Sequence, residues 1–201
     1  MDILDKAICF AVEKHSGQVR KLANSPYILH PMEVAAIVGT MTDSREVMAA
    51  AVLHDTVEDT DATIEEIEEN FGRRVALLVM TETEDKREDR PPAETWELRK
   101  VETLLILENT RDLDVKMMWL GDKLSNMRSY ARTYRTQGHS FWQSFNQKDP
   151  AKQAWYYSTI VKALADLKGY AAYEEFVALV NYVFADYIGR ESAPEIEKET
   201  K

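Results

Sequence analysis

Apolar side chains recur at helical spacing in segment after segment of this chain. In residues 2–15 they fall at positions 3, 4, 7, 8, 11 and 12, which places them on one face of an α-helix. Val, Ile and Thr do not gather into the alternating runs that half-buried strands require, and only seven glycines are present. A chain of 201 residues is long enough for one domain with a well-buried core. We therefore predict a single all-α helical bundle over residues 1–188.

Capping residues and helix breakers divide this domain into its elements. Pro31 begins a predicted helix over 31–42, Ser44 caps the next, over 45–55, and Thr63 opens a capping box. The helix that Thr63 opens ends near residue 71. Further helices are predicted over 73–80, 93–109, 112–133, 151–168 and 171–188, with loops at 16–29, 81–92 and 134–150. The polar segment 189–201 is predicted to be a disordered tail.

The charge balance restricts the class of ligand. The chain carries 25 basic and 35 acidic residues, a net charge of −10, so it would repel an extended polyanion such as DNA. Its apolar runs are far shorter than the roughly 20 residues of a membrane span, and the first 15 residues lack the basic region of a secretory signal. A single cysteine, Cys9, excludes an internal disulfide. We expect a cytoplasmic protein without nucleic-acid or membrane partners that takes a small ligand.

An unusual patch of imidazole and carboxylate follows an apolar helix at VLHDTVEDT, residues 52–60. If this segment is helical, His54 and Glu58 share one face, and Asp55 and Asp59 share the next. Burying these groups unpaired would be costly, and a divalent cation would remove that cost. A solvated helix end is an equally typical setting for such a pattern.

Two distant residues favour the metal interpretation. His30 precedes Pro31 at the start of a predicted helix, where an ordinary cap or half-buried histidine is also common. Asp122 lies inside an apparently buried helix, where it needs a partner, either a cation or a salt bridge to Lys123 or Arg128. Together with a His-Asp pair, these residues would give two nitrogen and two oxygen ligands, a set that suits Mn²⁺ or Fe²⁺ better than a thiolate zinc site.

Three motifs in the same order resemble the HD-domain hydrolases of the RelA/SpoT family, especially the small stand-alone hydrolases of the SpoT-homologue type. The first is HSGQVRK at 15–21, followed by Pro26-Tyr27 and His30-Pro31. The second is LHDTVEDT at 53–60, and the third is DKLSNMR at 122–128. The match covers residues 15–130, and the set is more specific than any one motif.

The resemblance implies a metal-dependent phosphohydrolase that removes the 3′-pyrophosphate of guanosine tetra- or pentaphosphate, with Mn²⁺ favoured. It implies three groups of site residues. The metal ligands would be His30, His54, Asp55 and Asp122. Glu58 and Asp59 would position and activate the attacking water, in keeping with the role of a general base beside a metal-bound water. The nucleotide pocket would include Arg20, Lys21, Asn126 and, as a residue that shapes it, His15.

The chain also departs from the family. Ser125 stands where family members usually carry a histidine, and the aromatic stretch from about 135 onwards matches no family motif. That stretch is most simply core packing, although it could form a substrate wall. Two further readings therefore stay open. One is an HD phosphohydrolase for another nucleotide or phosphorylated cofactor, and the other is a non-catalytic module that senses a nucleotide.

Overall fold

The computed structural model describes residues 1–20, 24–87 and 89–189 and confirms the all-α class. Within these ranges the helices are α1 (Ile3–Lys14), α2 (Leu29–Val38), α3 (Arg45–Leu53), α4 (Thr56–Asp59), α5 (Ile64–Phe71), α6 (Arg73–Met80), α7 (Pro92–Asn109), α8 (Leu113–Gln137), α9 (Pro150–Ala163) and α10 (Ala171–Val183). Short 3₁₀ helices cover Gly138–Ser144 and Ala165–Leu167. None of the helices in the described ranges is long and apolar enough to cross a membrane.

Helix α8 is the central element of the bundle. Residues 115–122 are buried without interruption, so this stretch has no solvent face. The helix packs against α2, α3 and α10, and α3 in turn packs against α1 and α6. Residues that α8 projects towards α2 and α3 are therefore deep inside the domain.

A glycine allows α2 and α8 to approach closely. A Cβ added to Gly121 would lie 2.8 Å from Val38 Cγ2 and 3.2 Å from the carbonyl oxygen of Val34. Only a residue without a side chain fits between the two backbones at this distance. The contact sets α8 against α2, the helix that carries His30.

Most helix boundaries follow the predicted signals. Ser44 Oγ accepts a hydrogen bond from the Val47 amide, and Thr63 caps α5 in the same way. Helix α2 begins two residues before Pro31, which places His30 inside its first turn. The last helix ends at Val183 rather than 188. Residues 190–201 of the predicted tail lie outside the described residues.

The predicted helix 45–55 ends two residues early, and the segment VLHDTVEDT, which we treated as helical to place His54 and Glu58 on one face, is broken. Helix α3 ends at Leu53 and the four-residue helix α4 begins at Thr56, so His54 and Asp55 form a turn between them. The Thr56 hydroxyl donates to the Leu53 carbonyl oxygen at 2.6 Å, a local side-chain bond of the kind that competes with helix continuation. The break turns the Asp55 carboxylate towards the His54 ring.

Candidate metal centre

Four side chains from three parts of the fold converge in the interior. His30 lies in α2, His54 directly after α3, and Asp122 in the middle of α8, and their ligand atoms all lie within 4.8 Å of one another. Asp55 Oδ2 lies 3.0 Å from His54 Nε2 and 3.5 Å from His30 Nε2. Three of the four residues that the resemblance names as metal ligands therefore form one cluster, and Asp55 lies beside its two histidines.

The two ring nitrogens of His54 have different surroundings. Nδ1 lies 2.9 Å from the carbonyl oxygen of Ala51, which can only accept, so Nδ1 carries a hydrogen. Nε2 is buried and has no hydrogen-bond partner among the described residues, although Asp55 is close. Burial lowers the pKa of His54, but the charge of Asp55 outweighs it and raises this pKa to about 10. A cation that displaces the proton would satisfy Nε2 and the carboxylate together.

Asp122 is buried and held by its neighbours on α8. Asn126 Nδ2 donates to its Oδ1 at 2.6 Å, and Lys123 Nζ lies 2.5 Å from its Oδ2. Oδ1 also lies 3.1 Å from His30 Nε2. Burial opposes ionisation, yet the Lys123 ammonium keeps the pKa of Asp122 well below its usual range. The sequence analysis named Lys123 and Arg128 as possible salt-bridge partners of Asp122. Lys123 contacts the carboxylate, whereas the ion pairs of Arg128 are with other residues.

This donor set fits a divalent cation. Burial lowers the pKa of His30, which favours the neutral ring that can act as a ligand. Two carboxylates beside two imidazoles in a buried position would be costly without a positive charge. The residues present thus match the oxygen and imidazole ligands that divalent first-row metals take.

Glu58 and Asp59 follow the ligands by one turn and differ in environment. The Tyr27 hydroxyl lies 2.5 Å from Asp55 Oδ2 and 3.1 Å from Asp59 Oδ2, so it links the ligand to the second acidic residue. Lys86 Nζ lies 2.5 Å from Asp59 Oδ1. Burial, aided by the charge of Asp55, raises the pKa of Glu58 to about 7, which suits a group that exchanges protons near neutral pH.

Among its described residues, the predicted loop 81–92 is non-helical until Pro92 begins α7, but it is not simply a solvated connection. The Glu84 amide donates to Glu58 Oε2 at 3.2 Å, and Lys86 Nζ donates to the Glu58 carbonyl oxygen at 2.8 Å. Glu82 Oε1 is buried without a hydrogen-bond partner. Burial, with the nearby charge of Asp122, raises the pKa of Glu82 to about 8. Residues 81–87 therefore form one wall of the acidic site.

A cavity of about 660 Å³ opens beside these residues, and we call it the larger cavity. Arg20, Asn126 and Asp59 line it, and the Arg20 guanidinium donates to Asn126 Oδ1 at 2.8 Å. His15 is buried behind it, with Nδ1 2.8 Å from Oε1 of Gln18. Lys21 lies outside the described residues.

The aromatic stretch after residue 135 serves two purposes. Phe141 and Trp142 are buried in the core, as the simpler interpretation predicted. Phe145 instead lines the larger cavity together with Tyr130, its ring centroid 5.0 Å away. Part of the stretch is therefore a wall against which a planar group could stack.

A second cavity of about 250 Å³ adjoins the first and is lined by three cationic side chains from α7 and α8. These are Arg99, Lys100 and Lys123, and we call this space the cationic cavity. Glu84 lies 2.8 Å from Arg99 Nη1 and 2.5 Å from Lys100 Nζ. Both cavities share Asn126, Tyr130, Phe145 and Asn146. The sequence analysis assigned no role to Arg99 or Lys100 and considered Lys123 only as a salt-bridge partner of Asp122.

The comparisons with known proteins agree with this architecture. The HD domain profile matches residues 7–149. The chain is 40% identical over 126 residues to the guanosine-3′,5′-bis(diphosphate) 3′-pyrophosphohydrolase of Aquifex aeolicus, covering 63% of this chain but 17% of that protein. It therefore spans about a sixth of the length of the curated relatives that it first matches. With the corresponding enzyme of Danio rerio it shares 43% identity over 134 residues, 65% of this chain and 70% of the relative.

Two solved structures are similar over most of the chain. One is a metazoan orthologue of SpoT that hydrolyses ppGpp, with a TM-score of 0.67, 26% identity, and coverage of 92% of this chain and 96% of that one. The other is a Listeria monocytogenes protein with a TM-score of 0.67, 31% identity, and coverage of 78% and 99%.

Proposed function

Because this chain belongs to the HD-domain family, and within it to the RelA/SpoT-type hydrolases, we propose that it is a metal-dependent phosphohydrolase that removes the 3′-pyrophosphate of guanosine tetra- or pentaphosphate. The products would be GDP or GTP and pyrophosphate. The observation that carries the proposal is the convergence of the His30, His54 and Asp122 ligand atoms within 4.8 Å, with Glu58 and Asp59 following His54 and Asp55 by four residues.

The proposed ligands are His30, His54, Asp55 and Asp122, and the mixed nitrogen and oxygen donors favour Mn²⁺, with Fe²⁺ as the alternative. A bound cation would lower the pKa of a coordinated water and polarise the phosphoryl oxygen that faces it. Because the four donors come from α2, α8 and the turn after α3, packing fixes their positions before substrate arrives.

The chain's own carboxylates would direct the water. Glu58, with its pKa raised to about 7, takes the proton as the water oxygen bonds to phosphorus. The bond between phosphorus and the ribose 3′-oxygen breaks, and protonated Glu58 passes its proton to that oxygen as pyrophosphate departs. Asp59 orients the water, since Tyr27 and Lys86 fix its two oxygens.

The two adjoining cavities support a substrate with two separated anionic groups. One group would lie at the metal, and Arg20 would meet the nucleotide in the larger cavity beside Asn126. The second diphosphate would enter the cationic cavity, where Lys100 and Lys123 offer the positive charge that this acidic protein lacks overall. Lys21 and His15 stay predicted members of the pocket, and the cytoplasmic location stays a prediction.

Incubation of the metal-stripped protein with guanosine tetraphosphate, with and without Mn²⁺, tests the proposal. Anion-exchange separation should show GDP and pyrophosphate only with metal, and Asp122→Asn should lose both bound Mn²⁺ and turnover. The matched control is His139→Ala, because His139 is exposed and bonds Tyr187 outside the site.

Other results would redirect the proposal. Release of phosphate or pyrophosphate from a different nucleotide, with guanosine tetraphosphate untouched, would assign the same chemistry to another substrate, which the unmatched wall at Phe145 would then select. Tight nucleotide binding without turnover over hours would favour a sensing module instead.

A further inference from the structure

Ser125 contacts His30 at the back of the metal centre, where the RelA/SpoT-type motif usually has a histidine. We infer that Ser125 and Glu33 act as a positioning pair that orients the His30 ring and fixes its proton on Nδ1, leaving Nε2 free for the cation. The inference rests on the proposed metal centre and assigns two residues that the proposed function does not use. Both lie on the side of His30 that faces away from Asp122.

The direction of each hydrogen bond follows from the outer end of the hydrogen-bonded series, at Arg128. Arg128 Nη1 donates to Glu33 Oε1 at 3.1 Å, and the Glu33 carboxylate can only accept. The Ser125 hydroxyl donates its single hydrogen to Glu33 Oε2 at 2.8 Å. Its oxygen then has only lone pairs for His30 Nδ1, which lies 2.9 Å away, so Nδ1 must be the donor.

The consequence appears at the other ring nitrogen. A neutral imidazole with its hydrogen on Nδ1 has a lone pair on Nε2, and His30 Nε2 lies 3.1 Å from Asp122 Oδ1 and 3.5 Å from Asp55 Oδ2. With a cation present, that lone pair is a ligand beside two carboxylates. Outer hydrogen bonds of this type orient a metal-binding histidine and raise its basicity.

The inner end of the relay is buried, its outer members Glu33 and Arg128 are partly exposed, and three helices hold it in place. Ser125 in α8 and His30 in α2 are 1% and 4% exposed, so water does not replace a lost partner easily. Glu33 lies one turn after His30 on α2 and moves with it. Arg128 is held in turn by both carboxylate oxygens of Glu175 in α10, each at 2.7 Å.

Arg20 offers the competing arrangement. Its Nη2 lies 3.1 Å from His30 Nδ1 and 2.8 Å from Asn126 Oδ1. If Arg20 donated to Nδ1, the ring hydrogen would sit on Nε2 and point at the carboxylates, and the cation would be excluded. We infer that Arg20 donates to Asn126 and that His30 Nδ1 donates to Ser125.

The test measures Mn²⁺ affinity without nucleotide, by the electron paramagnetic resonance signal of free Mn²⁺. Ser125→Ala should weaken binding about 10- to 100-fold with an unchanged circular dichroism spectrum, and Ser125→Thr should restore it to within a few-fold. Glu33→Gln should also weaken it, because an amide can donate to the serine and reverse the relay. The double variant should lose little beyond either single one.

Control variants separate positioning from general damage. Thr133→Val removes a hydroxyl from the same helix that bonds only the Ser129 carbonyl oxygen, and it should leave the affinity unchanged. Arg20→Ala, which removes the competing partner of His30 Nδ1, should weaken Mn²⁺ binding less than Ser125→Ala does. The inference is overturned if folded Ser125→Ala binds Mn²⁺ within twofold of the parent, or if Arg20→Ala causes the larger loss. Absence of Mn²⁺ binding by the parent protein would instead overturn the proposed metal centre itself.

Discussion

At the scale of single residues, two neighbouring carboxylates lie in different surroundings, which supports the different roles proposed for them. Glu58 is half-buried, receives one backbone amide, and has its pKa raised to about 7 by burial and by the charge of Asp55. Asp59 faces the Tyr27 hydroxyl and the Lys86 ammonium, which fix its orientation. Pairs of acids in unlike environments are the usual way in which one site separates proton transfer from positioning.

This division predicts the behaviour of Glu58→Gln. The amide keeps the shape and can still accept from the Glu84 amide, but it cannot take a proton, so kcat should fall about 10²- to 10⁴-fold. The Mn²⁺ dissociation constant should stay within about twofold of the parent value, because Glu58 is not a proposed ligand. Steady-state release of pyrophosphate and the metal titration measure the two effects.

Glu69→Gln, an exposed position on α5, is the matched control for removing one negative charge. Retention of more than about a tenth of the parent kcat in Glu58→Gln would contradict the role of Glu58 as the proton acceptor.

At the scale of elements, the metal centre depends on how α2 and α8 cross. Gly121 lies next to Asp122, and a side chain there would meet the backbone of α2 at Val34. The same crossing places His30 and Asp122 in contact. Helix packing and the geometry of the proposed centre are thus linked, because a movement of α2 relative to α8 would separate His30 from Asp122.

Gly121→Ala tests this dependence. Its Cβ would lie 2.8 Å from Val38 Cγ2, so α2 must shift, at a cost of about 1–3 kcal/mol in the free energy of unfolding. We expect a lower melting temperature together with weaker Mn²⁺ binding, measured by thermal unfolding and metal titration. Arg132→Ala, on the exposed face of α8, should change neither. Normal affinity in a destabilised Gly121→Ala would show that the ligands do not rely on the helix crossing.

Local sequence signals predicted the helices well and the site only in part. Periodicity, the caps at Ser44 and Thr63, and the motif resemblance pointed to the right class and to the residues that converge. The turn at His54 and Asp55 was not predicted, because an i, i+4 argument assumes a continuous helix. The hydrogen bond from the Thr56 hydroxyl to the Leu53 carbonyl oxygen competes with that continuation.

Contacts between distant segments carry no periodic signal, and these were the ones missed. Lys86 contacts Glu58 and Asp59, which lie 28 and 27 positions away in the sequence, and Ser125 contacts Glu33, which lies 92 positions away. In the sequence, Lys86 is one residue of a charged loop, and Ser125 is a departure from the family motif. Only packing in three dimensions assigns them partners.

At the scale of the whole molecule, the acidic balance conceals a local reversal of charge. The chain has a net charge of −10, yet Arg99, Lys100 and Lys123 gather around one cavity and Arg20 faces the next. Such an arrangement would allow the interior to receive a small, highly charged anion, as the proposed function requires.

The buried carboxyl groups of Glu58 and Glu82 and the imidazole of His54 should make the stability of the metal-free protein fall as pH rises. Burial raises the pKa of Glu58 to about 7 and that of Glu82 to about 8, so the folded state binds protons that the unfolded state, with ordinary carboxyl pKa values near 4.5, has lost. Their stabilising contribution is complete below about pH 4.5 and disappears as pH rises through 7 and 8. His54, with its pKa raised to about 10 despite burial because of Asp55, acts in the same direction from pH 6.5 upwards.

We expect the melting temperature in EDTA to drop by several degrees between pH 5 and pH 9, and Mn²⁺ to reverse most of the drop by replacing the missing positive charge. Glu82→Gln, which cannot ionise, should flatten the metal-free curve, whereas the exposed Glu69→Gln should leave its slope unchanged. A melting temperature in EDTA that rises with pH over this range would show that the carboxylates of the centre are not held in an unfavourable charged state, and would remove the electrostatic reason for a cation at this position.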